Sequence, residues 1–225
     1  MGPAISEILP YALGIAISPI PIIGVILILF SARARVNGPA FLLGWILGLA
    51  LVCLIVTAFA NALDVGTDSS ASDGASTFKV ALGIFLILGA IRKWRSRPAP
   101  GAEVELPTWM ATIDSFTPVK AIGLGALFSG VNPKCLIFGA AAASTVAQAN
   151  LSTTDTVITL AVFIALSSLT IIIPIAYALI GGESARTTLE GWKAWLSVNN
   201  AAVMAVLFLV FGVVLLSQGL GPITA

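Results

Sequence analysis

Long apolar runs dominate this sequence. A helix needs about 20 predominantly apolar residues to cross about 30 Å of hydrocarbon. The sequence contains six apolar runs, of which the third is short and the fourth is long enough to span even with an interruption. We therefore predict an all-α polytopic membrane protein with six transmembrane helices, near Ile8–Phe30, Pro39–Ala62, Phe78–Ile91, Val119–Gln148, Thr156–Ile180 and Ala201–Ser217.

The composition agrees with this class. Of the 225 residues, 58% are hydrophobic and 9% are charged, and the mean hydropathy of +1.06 is far above that of a water-soluble domain. A net charge of +1 and the absence of His argue against a nucleic-acid-binding surface, a transition-metal site and an imidazole proton relay. No phosphate-binding loop or nucleophile elbow is present, so we expect no enzyme activity, no ATP hydrolysis, no cofactor and no metal.

The two cysteines, Cys53 and Cys135, fall in different predicted helices. They form neither a Cys-x-x-Cys redox pair nor a secreted disulfide framework. We interpret them as small apolar packing residues.

Charged residues between the runs predict the orientation in the membrane. Arg33 and Arg35 follow the first helix and four more cations follow the third, whereas the segment Asp64 to Asp73 is acidic. The positive-inside rule then places the basic loops in the cytoplasm and both termini outside a plasma (inner) membrane. A predicted loop near Glu183–Lys193 is charge-balanced and does not bear on the orientation. The four cations after the third helix are Arg92, Lys93, Arg95 and Arg97.

The two halves of the chain are similar. Residues 13–19 read LGIAISP and residues 124–130 read LGALFSG, and a proline follows soon after each, at Pro21 and Pro133. Three helices separate the copies, so they enter the membrane from opposite sides, as in the inverted repeats of many transporters. Chance similarity between two apolar helices is the alternative. We predict a first repeat at 1–95, a cytoplasmic linker at 96–118 and a second repeat at 119–225.

The predicted linker is proline-rich, with Pro98, Pro100 and Pro107. Its later part has one apolar face if it is helical, which suggests a short helix at the membrane surface. A plain extended linker is the alternative. The apolar residues are Trp109, Met110, Ile113 and Phe116.

Lys134 is a cation near the middle of an otherwise uncharged run from about Ala121 to Ala149. A charge at bilayer depth costs several kcal/mol, so such a residue indicates a functional site. Ser129 and Asn132 share one helix face, whereas Lys134 points about 200° away from Asn132 at about 100° per residue. Either the helix is unwound at Asn132-Pro133, or protein surrounds it.

Prolines predict where helical hydrogen bonds are missing. A proline inside a helix leaves the carbonyl four residues earlier without its donor. Pro19 and Pro21 therefore free the carbonyls of Ile15 and Ile17, and Pro133 frees that of Ser129. Backbone of this kind persists in a membrane only inside protein or beside a wet cavity, so we expect both breaks to face an interior site. Pro174 in the fifth helix is interpreted as a simple kink.

The surroundings of Lys134 suggest an anionic ligand. Glu7, Asp155 and the other carboxylates lie near the predicted helix ends, so none is placed to neutralise Lys134 from another span. We hypothesise that Lys134, Asn132, Ser129 and the freed backbone groups bind an anionic head group such as phosphate, sulfate or carboxylate. A lysine that extends to the interface, or an uncharged amine, is the alternative.

Three segments carry a family resemblance: Asn132-Pro133-Lys134, residues 114–121 (DSFTPVKA), and Ser18-Pro19-Ile20-Pro21. With them the chain resembles, over nearly its whole length, the GAP family of the lysine exporter (LysE) superfamily. The resemblance implies six helices in two inverted three-helix repeats. Similar members are named as glycolipid-, glycopeptidolipid- or sulfolipid-addressing proteins and are associated with moving envelope lipids outward across the plasma membrane.

Carried over by position, the resemblance implies a site on the first and fourth helices and a cytoplasmic mouth. Cys135 stands where relatives often have a polar residue, which shortens the polar cluster. The residues implied for the site are Asn132, Pro133, Lys134, Ser18, Pro19 and Pro21, and those implied for the mouth are Asp114 and Lys120.

The first functional hypothesis is a secondary transporter or export facilitator for an anionic lipid or amphiphile, with broken helices one and four at its centre. The driving force stays open, although a proton cycling on Lys134 is one source. Alternatives are a non-transporting assembly subunit of a lipid export complex, a small-solute (amino acid) exporter, and a thiol-disulfide electron carrier, which needs paired cysteines on helices one and four. The expected partners are membrane lipids, and a homodimer or lipid-export machinery is an open possibility.

Overall fold

In the computed structural model, residues 1–62, 69–98 and 116–220 are described, and all regular structure among them is helical. Asp114, most of the predicted surface helix of the linker and half of the acidic segment lie outside these residues. The helices are α1 (Gly2–Ala16), α2 (Pro19–Phe30), α3 (Ala34–Ala62), α4 (Ser69–Arg95), α5 (Pro118–Gly130), α6 (Pro133–Gln148) and α7 (Thr153–Leu220).

Among the described residues, three helical segments are long and apolar enough to cross a membrane: Ala34–Phe59, Thr153–Gly182 and Ser184–Ser217. The pairs α1+α2 and α5+α6 pass the same test, so five spans result if each pair is one broken span. The chain is therefore a polytopic membrane protein. α4 contains the predicted third span but is not among these five, so six spans and the inverted repeat stay predictions.

The predicted interruptions of the first and fourth helices are present. The axes of α1 and α2 differ by 56°, and those of α5 and α6 differ by 63°. Each second half begins with a proline at its first position, Pro19 in α2 and Pro133 in α6. Proline is tolerated there because the first amides of a helix have no intrahelical acceptor.

The predicted loop between the last two spans is wrong, because residues 184–195 are helical. The change of direction needs a single residue, Gly182, with φ 54° and ψ −135°. Glycine adopts positive φ without the steric penalty of a side chain. Beyond it, Arg186 Nε and Glu190 Oε1 are 3.5 Å apart, one helical turn from each other, while Ala185 and Leu189 are buried. This amphipathic pattern favours helix over loop.

The chain forms two compact units. The first contains α1–α3, α5, α6 and α7 as far as Trp195, and the second contains α4 and α7 from Leu196. The predicted repeat boundaries at 95 and 118 are not tested by this division by packing. They stay predictions.

Within the first unit, α3 and α5 pack with their backbones in close contact. A methyl group on Gly44 of α3 would clash with the main-chain carbonyl of Ile122, and one on Gly125 of α5 would clash with that of Phe41. Such small-residue faces allow helices to approach in a membrane.

The opposite face of α3 is an exposed apolar stripe. Its residues recur every three or four positions, which places them on one side of the helix. An exposed aliphatic stripe on a helix of this length is typical of a surface that faces lipid. It consists of Leu43, Leu47, Leu51 and Leu54.

One side of the first unit collects several helix ends. Near the start of α3, Asn37 Nδ2 donates to the carbonyl of Phe116, just before α5, over 2.8 Å. Beyond the bend in α7, Arg186 and Lys193 flank the ring of Phe30, at the end of α2. The end of α2, the starts of α3 and α5 and the bend of α7 therefore share this side.

Within the second unit, α4 packs against the last part of α7. A Cβ on Gly83 would lie 2.9 Å from the carbonyl oxygen of Gly212, and a Cβ on Gly212 would lie 2.9 Å from that of Gly83. This reciprocal contact brings the two helices close. α4 begins at Ser69, nine residues before the predicted apolar run at Phe78, because the small polar residues in between continue the helix.

Candidate functional site

The first break occupies two residues between α1 and α2. The last helical hydrogen bond of α1 is donated by the Ile17 N–H to the Leu13 carbonyl, over 3.0 Å. The next residue, Ser18, is extended, with φ −115° and ψ 102°. The Ser18 N–H donates a 2.9 Å hydrogen bond to the Ala16 carbonyl. Since Pro21 has no N–H, the Ile17 carbonyl has no helical donor four residues on.

The second break is built by Asn132-Pro133. Val131 is the C-cap of α5, and the backbone of Asn132 is extended, with ψ 120°. Its side-chain Oδ1 accepts a 3.1 Å hydrogen bond from the main-chain N–H of Lys134. This is an N-cap, which satisfies one amide of the first turn of α6. Asn132 therefore has a structural task, and its cap fixes where Lys134 leaves the backbone.

Lys134 joins the two breaks. Its side chain is 6% exposed, and Nζ donates a 2.9 Å hydrogen bond to the carbonyl oxygen of Ile17. The acceptor is thus one of the carbonyls that the proline pattern predicts to be free. The expected unwinding at Asn132-Pro133 is present, and it brings the ammonium onto unwound backbone of the first helix pair.

Thr170 on α7 is a third component, which the sequence analysis did not find. Its Oγ1 donates to the carbonyl of Ala16, one residue before Ile17, over 2.5 Å. Pro174 lies four residues on and frees the Thr170 carbonyl, but this gives no indication of the acceptor of the Thr170 hydroxyl. The contact makes α7 a neighbour of the first break.

Ser167 adds a buried hydroxyl to the same face of α7, one turn before Thr170. It is fully buried, and its Oγ has no hydrogen-bond partner in the structure. Buried hydroxyls are normally paired. Ser167 is therefore a polar group of this face that is available to a ligand or a water.

Besides Lys134, two helix N-termini give the site partial positive charge. α2 and α6 both begin at the breaks, and the N-terminal end of a helix carries a partial positive charge. The Ser18 side chain makes no capping hydrogen bond to the first turn of α2, in contrast to Asn132. Two helix starts and one ammonium therefore lie within the reach of a lysine side chain, an arrangement that attracts an anion.

Ser129 faces away from this cluster. Its Oγ donates to the Gly125 carbonyl of its own helix over 3.1 Å. A Cβ on Gly48 of α3 would clash with the Ser129 hydroxyl. Ser129 thus lies in the α3–α5 packing seam, so the structure does not bring it together with Lys134, although the two are close in sequence.

The remaining predicted residues differ in position. Ser18, Pro19 and Pro21 are buried at the first break, whereas Pro133 is exposed. Lys120 is exposed in the first turn of α5, whose cap is Thr117 Oγ1, 3.4 Å from the Lys120 amide. The length of α5 puts it roughly 20 Å from the second break. Lys120 is therefore no part of the central cluster.

Aromatic and sulfur groups surround the cluster. Tyr11 of α1 and Phe138, one turn after Lys134, have ring centroids 6.4 Å apart, so apolar rings lie beside the two breaks. Cys53 and Cys135 are both buried and free. In the described part of the chain, no group of three or more His, Cys, Asp or Glu is placed to hold a metal ion.

Comparison with known proteins gives one match. The model of the SfLAP family, described as "Sap, sulfolipid-1-addressing protein", matches residues 8–221. No curated protein and no solved structure matches the chain. The family match covers both breaks and Lys134, and it agrees with the resemblance seen in the sequence motifs.

Proposed function

Because this chain belongs to the sulfolipid-1-addressing protein (Sap) family, we propose that it is a secondary transporter or export facilitator. Its cargo is an anionic (glyco)lipid or similar amphiphile that crosses the plasma membrane. One observation carries the proposal: the buried ammonium of Lys134 donates to the carbonyl of Ile17 and so joins two broken membrane helices. A cation kept at such a position is a functional group by default.

The chemistry of the break suits an anionic head group. The ammonium donates a hydrogen bond of ordinary length to the Ile17 carbonyl, and an oxygen of phosphate, sulfate or carboxylate can replace that acceptor with a stronger, charge-assisted bond. The helix starts at Pro19 and Pro133 add favourable partial charge. Acyl chains then extend along the apolar helix surfaces.

Orientation follows from the side on which the helix ends collect. That side carries Arg33 in the α2–α3 connection, Arg35 in the first turn of α3 and Lys120 at the start of α5. By the positive-inside rule it is cytoplasmic, which supports outward-facing termini. With α4 as a further span, the layout is the two inverted three-helix repeats of the GAP family and LysE superfamily, and rocking of one repeat against the other moves the cargo.

The test is lipid movement by purified protein in vesicles that contain no other protein. We expect labelled anionic lipid to change leaflets with the wild type, and the rate to fall at least tenfold with Lys134→Met, which keeps an unbranched side chain without charge. Lys134→Arg should retain part of the rate because the charge remains. Arg92→Gln, which removes an exposed cation at the end of α4, is the matched control and should match the wild type.

The result separates transport from an assembly role. A folded wild type that moves no lipid alone, but supports lipid export in cells, would identify it as a subunit that assists another exporter. Undiminished lipid movement by a well-folded Lys134→Met protein would reject Lys134 as the head-group cation.

A further inference from the structure

A second cationic surface lies at the end of α2, away from the breaks. The ring of Phe30 has the Arg186 guanidinium carbon 5.5 Å from its centroid and the Lys193 Nζ 5.6 Å from it. The two cations lie seven residues apart, about two helical turns, beyond the Gly182 bend. They are no more than about 11 Å apart, the sum of those two distances.

We propose that this Phe30 surface, formed by Phe30, Arg186 and Lys193, binds the head group of an anionic membrane lipid. The cation–π contacts hold both positive groups against one ring, so less side-chain freedom is lost when an anion binds. Arg186 keeps access to solvent, with 57% of its side chain exposed. Its 3.5 Å contact with Glu190 is an exposed pair, which contributes little and is readily exchanged for another anion.

The local charge favours an anion. Arg33 and Arg35 are exposed and follow Phe30 within five residues, and each cation near a membrane surface contributes about 1 kcal/mol of attraction to anionic lipid. Together with Arg186 and Lys193 they make four cations, which outnumber Glu183 and Glu190 in these two segments of the sequence.

Aromatic groups beside the cations favour a lipid over a soluble anion. The rings of Tyr177 and Trp192 stack, with centroids 6.1 Å apart and planes 19° from parallel, and Trp195 is exposed. Tryptophan and tyrosine concentrate at membrane interfaces, where an apolar body meets a polar edge. The part of α7 around and after Gly182 thus offers cations for a head group and rings for the start of the acyl chains.

The Phe30 surface does not depend on transport. Lipid binding here requires only that the helix after Gly182 lies at the interface, so it goes beyond the proposed function. If the protein transports lipid as proposed, the 12 residues of α2 connect this surface to the break at Pro19, about 18 Å away. The surface would then be a place where cargo waits.

The test is native mass spectrometry of the full chain in detergent, titrated with phosphatidylglycerol or with phosphatidylcholine of the same acyl chains. We expect the wild type to prefer phosphatidylglycerol, and the double variant Arg186→Gln/Lys193→Gln to bind it about tenfold more weakly. Phosphatidylcholine binding should not change. Arg92→Gln/Lys93→Gln removes two exposed cations from α4 and is the matched control, expected to bind like the wild type.

A second variant keeps the proposal testable if the double variant does not fold. Glu190→Gln removes the local carboxylate and should tighten phosphatidylglycerol binding by about fivefold at low salt. Unchanged binding in both variants, or equal weakening in the α4 control, would overturn the proposal. Displacement of the lipid by millimolar inorganic phosphate would identify a soluble-anion site and overturn the assignment to lipid.

Discussion

The ammonium of Lys134 is 2.9 Å from the carbonyl oxygen of Ile17, an oxygen that Pro21 leaves without a helical donor. Lys134 of α6 thus supplies the donor that Pro21 of α2 cannot give to the Ile17 carbonyl. The carbonyl gains a donor, and the buried cation gains an acceptor. The bond also ties α6 to the turn between α1 and α2, so displacing it with a ligand loosens two half-helices from each other.

The first prediction removes the prolines of this break. In Pro19→Ala/Pro21→Ala the new amides have Ile15 and Ile17 as helical acceptors, and a continuous helix becomes available. We expect helix content by circular dichroism to be retained or raised, lipid movement to fall at least tenfold, and the Lys134 amine to react faster with amine-specific reagents.

Pro10→Ala is the control for that variant, because Pro10 lies inside the continuous helix α1. Its replacement should leave lipid movement and amine reactivity at wild-type values. Wild-type transport by the double variant would show that the break is not needed.

Thr170→Val tests the link between α7 and the break. Valine keeps the shape but removes the donor to the Ala16 carbonyl, which still accepts from Ser18 N. A hydrogen bond between membrane helices contributes about 0.5–1.5 kcal/mol, and we expect that loss in thermal unfolding in detergent, with slower lipid movement.

Thr145→Val is the matched control, since Thr145 Oγ1 donates to Ala141 within its own helix over 2.9 Å. That bond joins no helices, so its loss should cost less than about 0.5 kcal/mol. Equal losses in the two variants would contradict a linking role for Thr170.

Local chemistry explains what the sequence predicts well. Apolar run lengths give the helices, and the prolines at 19, 21 and 133 give the two breaks, because proline acts on backbone within four residues. The same rule identifies the Ile17 carbonyl as an orphan acceptor. The rule cannot identify the residue that donates to the Ile17 carbonyl, since Lys134 is 117 positions away in sequence.

Tertiary packing explains what the sequence does not predict. The face of a helix next to a break is ambiguous, so Ser129 has the right spacing for the site but lies against Gly48 of α3. Thr170 has no motif of its own and gains its role only through contact with α1. The helix after Gly182 resembles a charged loop in sequence, yet the burial of Ala185 and Leu189 one turn apart favours a helix there.

Gly44→Ala tests the close contact of α3 and α5. The added methyl would meet the Ile122 carbonyl, and backbone cannot move aside as a flexible side chain can. We expect destabilisation of about 1–3 kcal/mol, typical of overpacking. Gly123→Ala is the control, because its Cβ would meet nothing within 4 Å, and alanine raises helix propensity by up to about 1 kcal/mol. Equal stability of the two variants would contradict the observed seam.

Asn132 offers a way to separate capping from binding. Asn132→Ala loses the cap to the Lys134 amide and should lower the free energy of unfolding by about 1 kcal/mol. Asn132→Asp keeps a capping oxygen, so its stability should stay near the wild type. Its carboxylate, however, places a negative charge two residues from Lys134 and competes with an anionic cargo, so lipid movement should fall at least fivefold. Thr117→Ala removes the equivalent cap of α5 and measures what cap loss alone does to transport. If Asn132→Asp moves lipid as fast as the wild type, the positive charge at the break does not bind the head group, and Lys134 serves only to hold Ile17.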